Sequence, residues 1–369
     1  MIRLSALTVW SNPVVKDRLS WYYAVMRDHK PAKFLICKKI PSHANLREAS
    51  EDELWQEHAR LSREFRMLKA RVAGEDFDLD RMAIPATNFL DLKAELLARL
   101  LNHCTYCEWR CKVDRAHGSR KGACRMDSTT RVATWFHHYG EEPPLVGVGG
   151  SGTIFFSGCM FRCVFCQNWD ISQFPLAGVE VDGRKLALIM KNLREEGALN
   201  INFVGGEPTP NLHTIVDGMR ELDINVPMLW NSDMYGTPEF MKILVDVIDI
   251  WLPDFKYGND KCALRLSKVV RYFNTVARNH RIAHENGDMI IRHLVLPNHL
   301  ECCTKVVLRW IAENCPRALV NVMDQYRPDY RVLEEPEKYR DIARRLRPDE
   351  IEQAYRYAEG LSLIYEPVS

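Results

Sequence analysis

The sequence predicts an α/β protein built on a partial barrel of about six strand–helix units. From Gly152 onward, apolar strand-like runs alternate with amphipathic helical stretches, a pattern typical of a parallel sheet covered by helices. Eight units would close a full barrel. We therefore expect an open (β/α)6 barrel resembling part of a TIM barrel, with a doubly wound sheet as the alternative.

The individual strand predictions follow from short apolar runs bounded by turn residues. The six runs are GTIFFSG, NINFVGG, PMLWNSD, IDIWLPDF, MIIRHLVLP and LVNVMDQY, and a last strand-like piece, LSLIYEP, follows them. The stretches GRKLALIMKNLREEG and PDEIEQAYRYAEG are examples of the intervening helices. Active sites in such folds form at the carboxyl ends of the strands, so we expect the functional residues there.

The first part of the chain is predicted to be helical. The segment SEDELWQEHARLSREFRMLKARVAG begins with a capping box formed by Ser50 and Glu53, has an apolar face and ends at Gly74. A second amphipathic stretch, LDLKAELLARLL, leads towards Cys104. We interpret 1–100 as a helical packing or docking extension, 101–150 as a cysteine-rich metal-binding segment and 151–369 as the barrel.

Composition narrows the class of protein. With 50 basic and 49 acidic residues, the formal net charge is +1, so composition gives no indication of binding to nucleic acid. No run approaches the roughly 18 apolar residues of a membrane span, and the first residues do not resemble a signal peptide. We expect a cytoplasmic protein that binds neither nucleic acid nor membranes.

The cysteines are distributed unevenly. Seven of the twelve lie between Cys104 and Cys166. In a reducing compartment, such clustering indicates metal binding rather than disulfides. The cysteines outside the cluster are interpreted as small packing residues, and they are Cys37, Cys262, Cys302, Cys303 and Cys315.

The stretch GCMFRCVFCQNW contains Cys159, Cys163 and Cys166 in a C-x3-C-x2-C spacing. Three thiols are one fewer than a closed zinc site or a fully ligated 4Fe-4S cluster requires. If they hold three irons of a 4Fe-4S cluster, the fourth iron keeps open positions for a substrate or cofactor. A zinc site and three packed thiols are the alternatives.

These residues resemble a known signature. The pattern C-x3-C-x-aromatic-C, with Phe165 as the aromatic residue, resembles that of the radical S-adenosylmethionine (SAM) superfamily. The wider stretch GSGTIFFSGCMFRCVFCQN is similar to pyruvate formate-lyase activating enzymes and to their PflX-like relatives with a cysteine-rich segment upstream. The resemblance implies a barrel of the radical SAM type, SAM at the open iron, anaerobic chemistry and a low-potential electron donor such as ferredoxin or flavodoxin.

The resemblance also assigns residues to SAM. Gly205, Gly206 and Glu207, in GGEP, resemble the segment that binds the SAM amino group. After the next strand, Asn231, Ser232 and Asp233 lie where related enzymes place polar residues near the ribose, and Asp254 and Lys256 follow the strand after that. Arg292 and His293 alternate along a strand, so only one of them can face the barrel interior. In the segment DQYRP the chain departs from the activating enzymes, which carry a histidine near the end of a late strand.

A second metal site is predicted upstream. Its ligands, in a C-x2-C-x3-C-x12-C pattern, are Cys104, Cys107, Cys111 and Cys124. Four thiols can close either a zinc site or an auxiliary 4Fe-4S cluster. We favour iron–sulfur because the spacing is not the paired C-x2-C of common zinc ribbons.

Together these features predict a radical SAM oxidoreductase. Reductive cleavage of SAM would give a 5'-deoxyadenosyl radical that abstracts hydrogen from a protein or a small molecule, and a glycine of a partner protein is one candidate. Two alternatives remain. One is a non-catalytic iron–sulfur protein for electron transfer or sensing, and the other is a radical-dependent methyl or sulfur transferase.

Overall fold

The structure is a computed structural model that describes residues 4–74 and 77–369. Its centre is an eight-stranded sheet in the order β3-β1-β2-β4-β5-β6-β7-β8. The strands are β1 Thr130–His138, β2 Ser151–Phe156, β3 Val179–Val181, β4 Ile201–Gly205, β5 Met228–Ser232, β6 Ile250–Pro253, β7 Asp288–Leu294 and β8 Leu319–Met323.

Strands β2 and β4 to β8 are parallel and correspond to the six predicted runs. They follow one another in chain order across the sheet, without the reversal that defines a doubly wound fold. The predicted partial barrel is therefore confirmed, and the doubly wound alternative is wrong.

Helices cover the outside of the sheet and fill the first part of the chain. They are α1 Leu4–Thr8, α2 Pro13–Arg18, α3 Ser20–Met26, α4 Lys33–Lys38, α5 Glu51–Ala73, α6 Phe89–Asn102, α7 Pro143–Val146, α8 Trp169–Ser172, α9 Gly183–Glu195, α10 Leu212–Glu221, α11 Pro238–Leu244, α12 Asp260–Ser267, α13 Tyr272–Asn286, α14 Lys305–Asn314, α15 Arg331–Glu334 and α16 Pro348–Gly360. Within the described ranges, none is long and apolar enough to span a membrane.

Two differences from the sequence prediction concern the edges of the sheet. Strand β1 lies inside the segment interpreted as cysteine-rich, pairs antiparallel with β2 and is followed outward by β3. Its β-branched and aromatic residues suit a half-buried strand. The prediction that LSLIYEP forms a last strand is wrong, because this segment forms turns and irregular backbone. Its one backbone hydrogen bond to the sheet is accepted by the Ile364 carbonyl from Val320 N, at 3.0 Å.

Helix α5 forms as predicted. The Ser50 hydroxyl accepts from Glu53 N, and the Glu53 carboxylate accepts from Ser50 N at 2.7 Å, which completes the capping box. The apolar face is buried at Leu54, Leu61, Phe65 and Leu68. It packs against α4, α6 and the helices of the barrel.

Helices α1 to α3 close one end of the barrel. Val15, Leu19 and Tyr22 pack against apolar side chains near the starts of the parallel strands, including Leu229 and Leu319. All five side chains are fully buried. The interior is thereby sealed at the amino-terminal ends of the strands, which leaves the carboxyl ends as the accessible side.

A buried ion pair joins the first part of the chain to the barrel. Lys93 Nζ, on α6, lies 2.8 Å from Asp246 Oδ2 and 2.9 Å from His58 Nε2. It also donates to the Ile243 carbonyl at 3.0 Å. Because the Lys93 side chain is fully buried, these partners must replace its hydration shell.

Candidate functional site

A cavity of about 230 Å³ lies at the carboxyl ends of the parallel strands. The predicted residues in its lining are Cys159, Cys163, Cys166, Gly205, Gly206, Asp254 and Lys256. Side chains from the loops after β2, β6 and β8 complete it, and Asp233 follows β5. Residues distant in sequence therefore meet where a parallel barrel is expected to bind its ligands.

The three thiols of the cysteine loop are positioned by short contacts. Cys163 Sγ lies 2.9 Å from the Ser267 hydroxyl, and Cys166 Sγ lies 3.3 Å from the Ser172 hydroxyl. Cys159 Sγ accepts from Phe161 N at 3.2 Å. Burial raises the pKa of all three thiols, so a metal must displace their protons on binding. Three soft sulfur donors facing one cavity fit an iron–sulfur cluster.

The loop that carries these cysteines is supported by helix α12 and by aromatic side chains. Arg162 N and Val164 N donate to the carbonyls of Ser267 and Leu266 at 2.9 and 2.8 Å. Phe165 packs edge-on against Tyr326, with ring centroids 5.8 Å apart. These contacts limit access of water to the cysteines, a factor that influences cluster potential.

Gly205 and Gly206 allow a close approach between β4 and the cysteine loop. Gly205 has φ +111°, and a Cβ there would lie 2.3 Å from Phe156 N. A Cβ on Gly206 would lie 2.3 Å from the Gly158 carbonyl oxygen. A side chain at either position would displace the cysteine loop or its neighbouring strand.

Charged side chains form a compact network on the opposite wall of the cavity. Lys256 Nζ contacts Asp233 Oδ1 and lies 2.6 Å from Asp254 Oδ2. Arg292 Nε donates to Asp254 Oδ1 at 2.8 Å, and its Nη2 donates to Asn231. The network places a lysine and an arginine around two carboxylates beside the cysteines.

The network shifts the pKa values of Asp254 and Lys256 so that both side chains stay charged. Burial raises the pKa of Asp254, but Arg292 and Lys256 outweigh this effect and lower it to about 2. Burial lowers the pKa of Lys256, but the carboxylates of Asp233 and Asp254 together raise it well above its usual range. Lys256 is therefore a stable cation at the cavity wall.

Glu207, Asn231 and Ser232 lie beneath the cavity lining. Glu207 Oε1 accepts from the Ser232 hydroxyl at 2.6 Å, and Oε2 accepts from Asp233 N at 3.0 Å. Burial and the nearby Asp233 carboxylate raise the pKa of Glu207 to about 7. In this arrangement Glu207 positions the segment that presents Asp233, and its predicted contact with SAM stays a prediction.

The four upstream cysteines lie on a loop that contacts the cysteine loop of the cavity. Arg162 bridges the two by donating to the carbonyls of Ala123 and Cys159. Trp109 Nε1 donates to the Met160 carbonyl at 3.2 Å. After burial, the main influences raising the pKa of Cys107 are the thiols of the same set, which are Cys124, Cys104 and Cys111. These contacts place the upstream cysteine loop beside the main site.

A second cavity, of about 310 Å³, adjoins the first and shares Met323 and Gln325 with it. Asn321 Nδ2 donates to Glu142 Oε1 at 2.8 Å. Glu142 Oε2 is buried and has no hydrogen-bond partner among the described residues. Burial raises the pKa of Glu142 to about 7. Arg292 also lines this cavity.

The structure also shows which of Arg292 and His293 faces the interior. Arg292 points into the barrel, whereas His293 points outward and lies 2.7 Å from the Phe255 carbonyl and 2.9 Å from the Thr304 hydroxyl. Of the three residues predicted near the ribose, Asp233 lines the cavity, whereas Asn231 and Ser232 do not. Gln325, Tyr326 and Arg327 of the divergent segment DQYRP line it as well.

The chain was compared with protein families and with curated proteins. Residues 153–311 match the Radical SAM superfamily. The chain is 43% identical to the uncharacterized protein MJ0674 of Methanocaldococcus jannaschii, over 95% of this chain and 100% of that protein. It is 25% identical to the uncharacterized protein MJ0808 of the same organism, over 54% of this chain and 60% of that protein.

Solved structures with partial similarity include SuiB of Streptococcus suis bound to its precursor peptide SuiA, with 14% identity and a TM-score of 0.39. That match covers 55% of this chain and 43% of SuiB. TYW1 with a bound lysine–pyruvate adduct has 13% identity and a TM-score of 0.35, over 56% of this chain and 73% of TYW1.

Proposed function

This chain belongs to the radical SAM superfamily, and we propose on that basis that it cleaves SAM reductively and uses the resulting radical on a substrate bound in the adjoining cavity. Membership implies a 4Fe-4S cluster and SAM as cofactors. The observation that carries the proposal is the convergence of the three thiols of the cysteine loop with Lys256 and Asp233 on one cavity.

The donor set fits the expected cofactors. Cys159, Cys163 and Cys166 would hold the cluster, and together the bound cluster and SAM supply a 5'-deoxyadenosyl radical that abstracts hydrogen. Lys256 would neutralise the SAM carboxylate, because it keeps its charge at the cavity wall. Asp233 would accept a hydrogen bond from the SAM amino group or ribose.

We assign the substrate to the second cavity. It adjoins the first through Met323 and Gln325, so a substrate bound there would lie beside the site where the radical is generated. The unpaired Oε2 of Glu142 can accept a hydrogen bond from the substrate, and the guanidinium of Arg292 can donate one. A protein segment, including a glycine that would carry a radical, and a small molecule are both compatible with this site.

The upstream cysteines would form a second centre, which we propose is an auxiliary 4Fe-4S cluster. Its proximity to the main site, through Arg162 and Trp109, supports a role in electron relay or substrate binding. A low-potential donor such as ferredoxin or flavodoxin would deliver electrons to the enzyme in the cytoplasm. A zinc ion at this position would instead hold the loop to the barrel.

Formation of 5'-deoxyadenosine tests the proposal. Anaerobically purified protein with a complete cluster, reduced with dithionite and given SAM, should form 5'-deoxyadenosine. The Cys163→Ala variant should form none, while Cys315→Ala, which replaces a buried cysteine elsewhere, should behave as the wild type. A fully loaded wild-type protein that releases no 5'-deoxyadenosine would favour a non-catalytic iron–sulfur protein.

Deuterium transfer tests the substrate site. An extract of cells grown in heavy water should yield deuterated 5'-deoxyadenosine when it contains the substrate, since hydrogen moves from the substrate to the radical. We expect Glu142→Gln to lose this labelling and still form unlabelled 5'-deoxyadenosine. Full labelling by the variant would place the substrate elsewhere.

A further inference from the structure

Four potential metal ligands converge near the start of helix α12, whose other end contacts the cysteine loop. They are Cys262, His299, Cys302 and Cys303. All three cysteines are free thiols. The packing interpretation is wrong for Cys302, which is exposed, whereas Cys262 is half-buried and Cys303 is buried. Each of the three sulfurs contacts His299 Nδ1. Cys37 and Cys315 are buried, as that interpretation expected.

The distances between the ligand atoms match a tetrahedral site. His299 Nδ1 lies 3.6 Å from Cys262 Sγ, 3.3 Å from Cys302 Sγ and 3.7 Å from Cys303 Sγ. Cys302 Sγ lies 3.9 Å from Cys262 Sγ and 3.7 Å from Cys303 Sγ. In a tetrahedral site, zinc–sulfur bonds of about 2.3 Å and zinc–nitrogen bonds of about 2.0 Å place sulfur atoms roughly 3.8 Å apart and sulfur and nitrogen roughly 3.5 Å apart.

We propose that Cys262, His299, Cys302 and Cys303 bind one zinc ion in a closed Cys3His site. The ligand atoms all lie within 4.8 Å of one another, which suits a single ion. Thiolate and imidazole ligands are those that zinc prefers, and four protein ligands leave no position for substrate. The site is therefore structural and separate from the proposed radical site.

The orientation of His299 supports metal binding. Its Nε2 lies 3.2 Å from Asp341 Oδ2, which leaves Nδ1 facing the three thiols. A carboxylate that accepts from the second ring nitrogen is the usual partner of a zinc-bound histidine, since it fixes the tautomer and the ring orientation. Arg265 holds Asp341 in turn, with Nη1 3.2 Å from Asp341 Oδ1.

The backbone also brings the ligands together. Residues Leu300–Thr304 form a π-helical turn, and both Cys303 N and Thr304 N donate to the His299 carbonyl, at 3.0 and 3.2 Å. Such turns are rare and occur frequently at functional sites. Asn259 connects the two segments, because its Oδ1 accepts from Cys262 N and its Nδ2 donates to the Cys302 carbonyl, both at 2.9 Å.

A zinc ion here would stabilise the support of the cysteine loop. Cys262 lies near the start of α12, and Ser267, at its end, contacts Cys163 Sγ and the backbone of the loop. The ion would join α12 to the segment after β7 and, through His299, to Asp341. The orientation of α12, and with it the cysteine loop, would then depend on the metal.

Zinc content per chain tests the site. The full-length protein, purified anaerobically, should contain one zinc that is lost in Cys262→Ser and in His299→Ala. Cys315→Ser is the matched control and should keep the zinc. Wild-type protein without zinc, zinc retained in Cys262→Ser, or iron in place of zinc at these ligands would overturn the proposal.

A spectroscopic measurement identifies the zinc ligands directly in protein that keeps all four of them. In a chain with Cys104→Ala and Cys107→Ala, zinc X-ray absorption should show three sulfur ligands and one nitrogen ligand. A shell of four sulfurs, or of oxygens, would contradict the assignment. The absorption measurement does not require SAM cleavage, so the zinc assignment and the proposed radical chemistry can fail separately.

Discussion

Lys256 Nζ lies 2.6 Å from Asp254 Oδ2, in the wall of the cavity that faces the three cysteines. Asp254 is also bound by Arg292, so its charge is balanced from two sides. Asp233 is the second carboxylate on Lys256. The lysine is thus held in place before any ligand binds, which reduces the entropy that SAM binding must overcome.

Replacing Lys256 should weaken SAM binding. A charge-assisted hydrogen bond is worth about 1.5–3 kcal/mol, so Lys256→Met should raise the Kd for SAM roughly tenfold to a hundredfold. Equilibrium binding to cluster-containing protein measures this change. Lys191→Met, at an exposed surface pair, is the control and should bind SAM as the wild type does. An unchanged Kd in Lys256→Met would exclude contact with the SAM carboxylate.

Removing the Ser267 hydroxyl should make the cluster harder to reduce. The hydroxyl lies 2.9 Å from Cys163 Sγ and 2.6 Å from Tyr257 OH. Hydrogen bonds to cluster sulfur stabilise the reduced state. A bond worth about 1 kcal/mol corresponds to roughly 40 mV for one electron, so Ser267→Ala should lower the potential by about that amount.

A redox titration followed by electron paramagnetic resonance measures the potential. Ser42→Ala is the control, since that hydroxyl contacts Glu57 and none of the cluster cysteines. A potential that is unchanged or higher in Ser267→Ala would show that the hydroxyl does not donate to the sulfur in the loaded protein.

Breaking the buried ion pair between Lys93 and Asp246 should destabilise the protein. Lys93→Met leaves the Asp246 carboxylate buried without its cation. Removing one partner of a buried ion pair lowers the free energy of unfolding by about 3–5 kcal/mol. Urea unfolding measures the change. The double variant Lys93→Met with Asp246→Leu should recover much of the loss, because it removes both charges. A single variant as stable as the wild type would show that this contact contributes little.

Glu350 should contribute to stability at neutral pH and lose this contribution in acid. Hydrogen bonds from Arg344 dominate over the opposing effect of burial and lower the pKa of Glu350 from its usual 4.5 to about 2. The unfolded chain therefore binds a proton near pH 4.5 that the folded chain binds only near pH 2. Stability falls as pH decreases through this window.

The stability of the Glu350→Gln variant should depend less on pH than that of the wild type. Its urea midpoint should fall less than that of the wild type between about pH 6 and about pH 3.5. Glu352→Gln, on the exposed side of the same helix, should follow the wild type. If the urea midpoints of Glu350→Gln and the wild type fall equally with pH, Glu350 is not the group that titrates in this range.

The barrel and the cysteine loop were predictable because their patterns are local. Each parallel strand is a short, mostly apolar run, and the three cysteines lie within eight consecutive residues. The proposed zinc site was not predictable, since Cys262 lies far in sequence from His299 and the spacing H-x2-C-C matches no common zinc motif. Only the π-turn and the packing of α12 bring these ligands together.

The distinction between Asp233 and its neighbours required the fold. Asn231, Ser232 and Asp233 are consecutive polar residues, and sequence alone does not reveal which one reaches the cavity. In the structure, Asn231 is held by Arg292 and Ser232 by Glu207, so only Asp233 lines the cavity.

The closure of the barrel by α1 to α3 also constrains the order of folding. Val15 and Leu19 pack in the same apolar cluster as Leu319, and Arg18 donates to the carbonyl of Pro316 at 2.6 Å. These partners are separated by about three hundred residues, so the first helices leave the ribosome long before β8 is synthesised. Contacts so distant in sequence slow folding. The part of these apolar faces that β8 covers must therefore stay exposed, or be protected by a chaperone, until translation of the barrel is nearly complete.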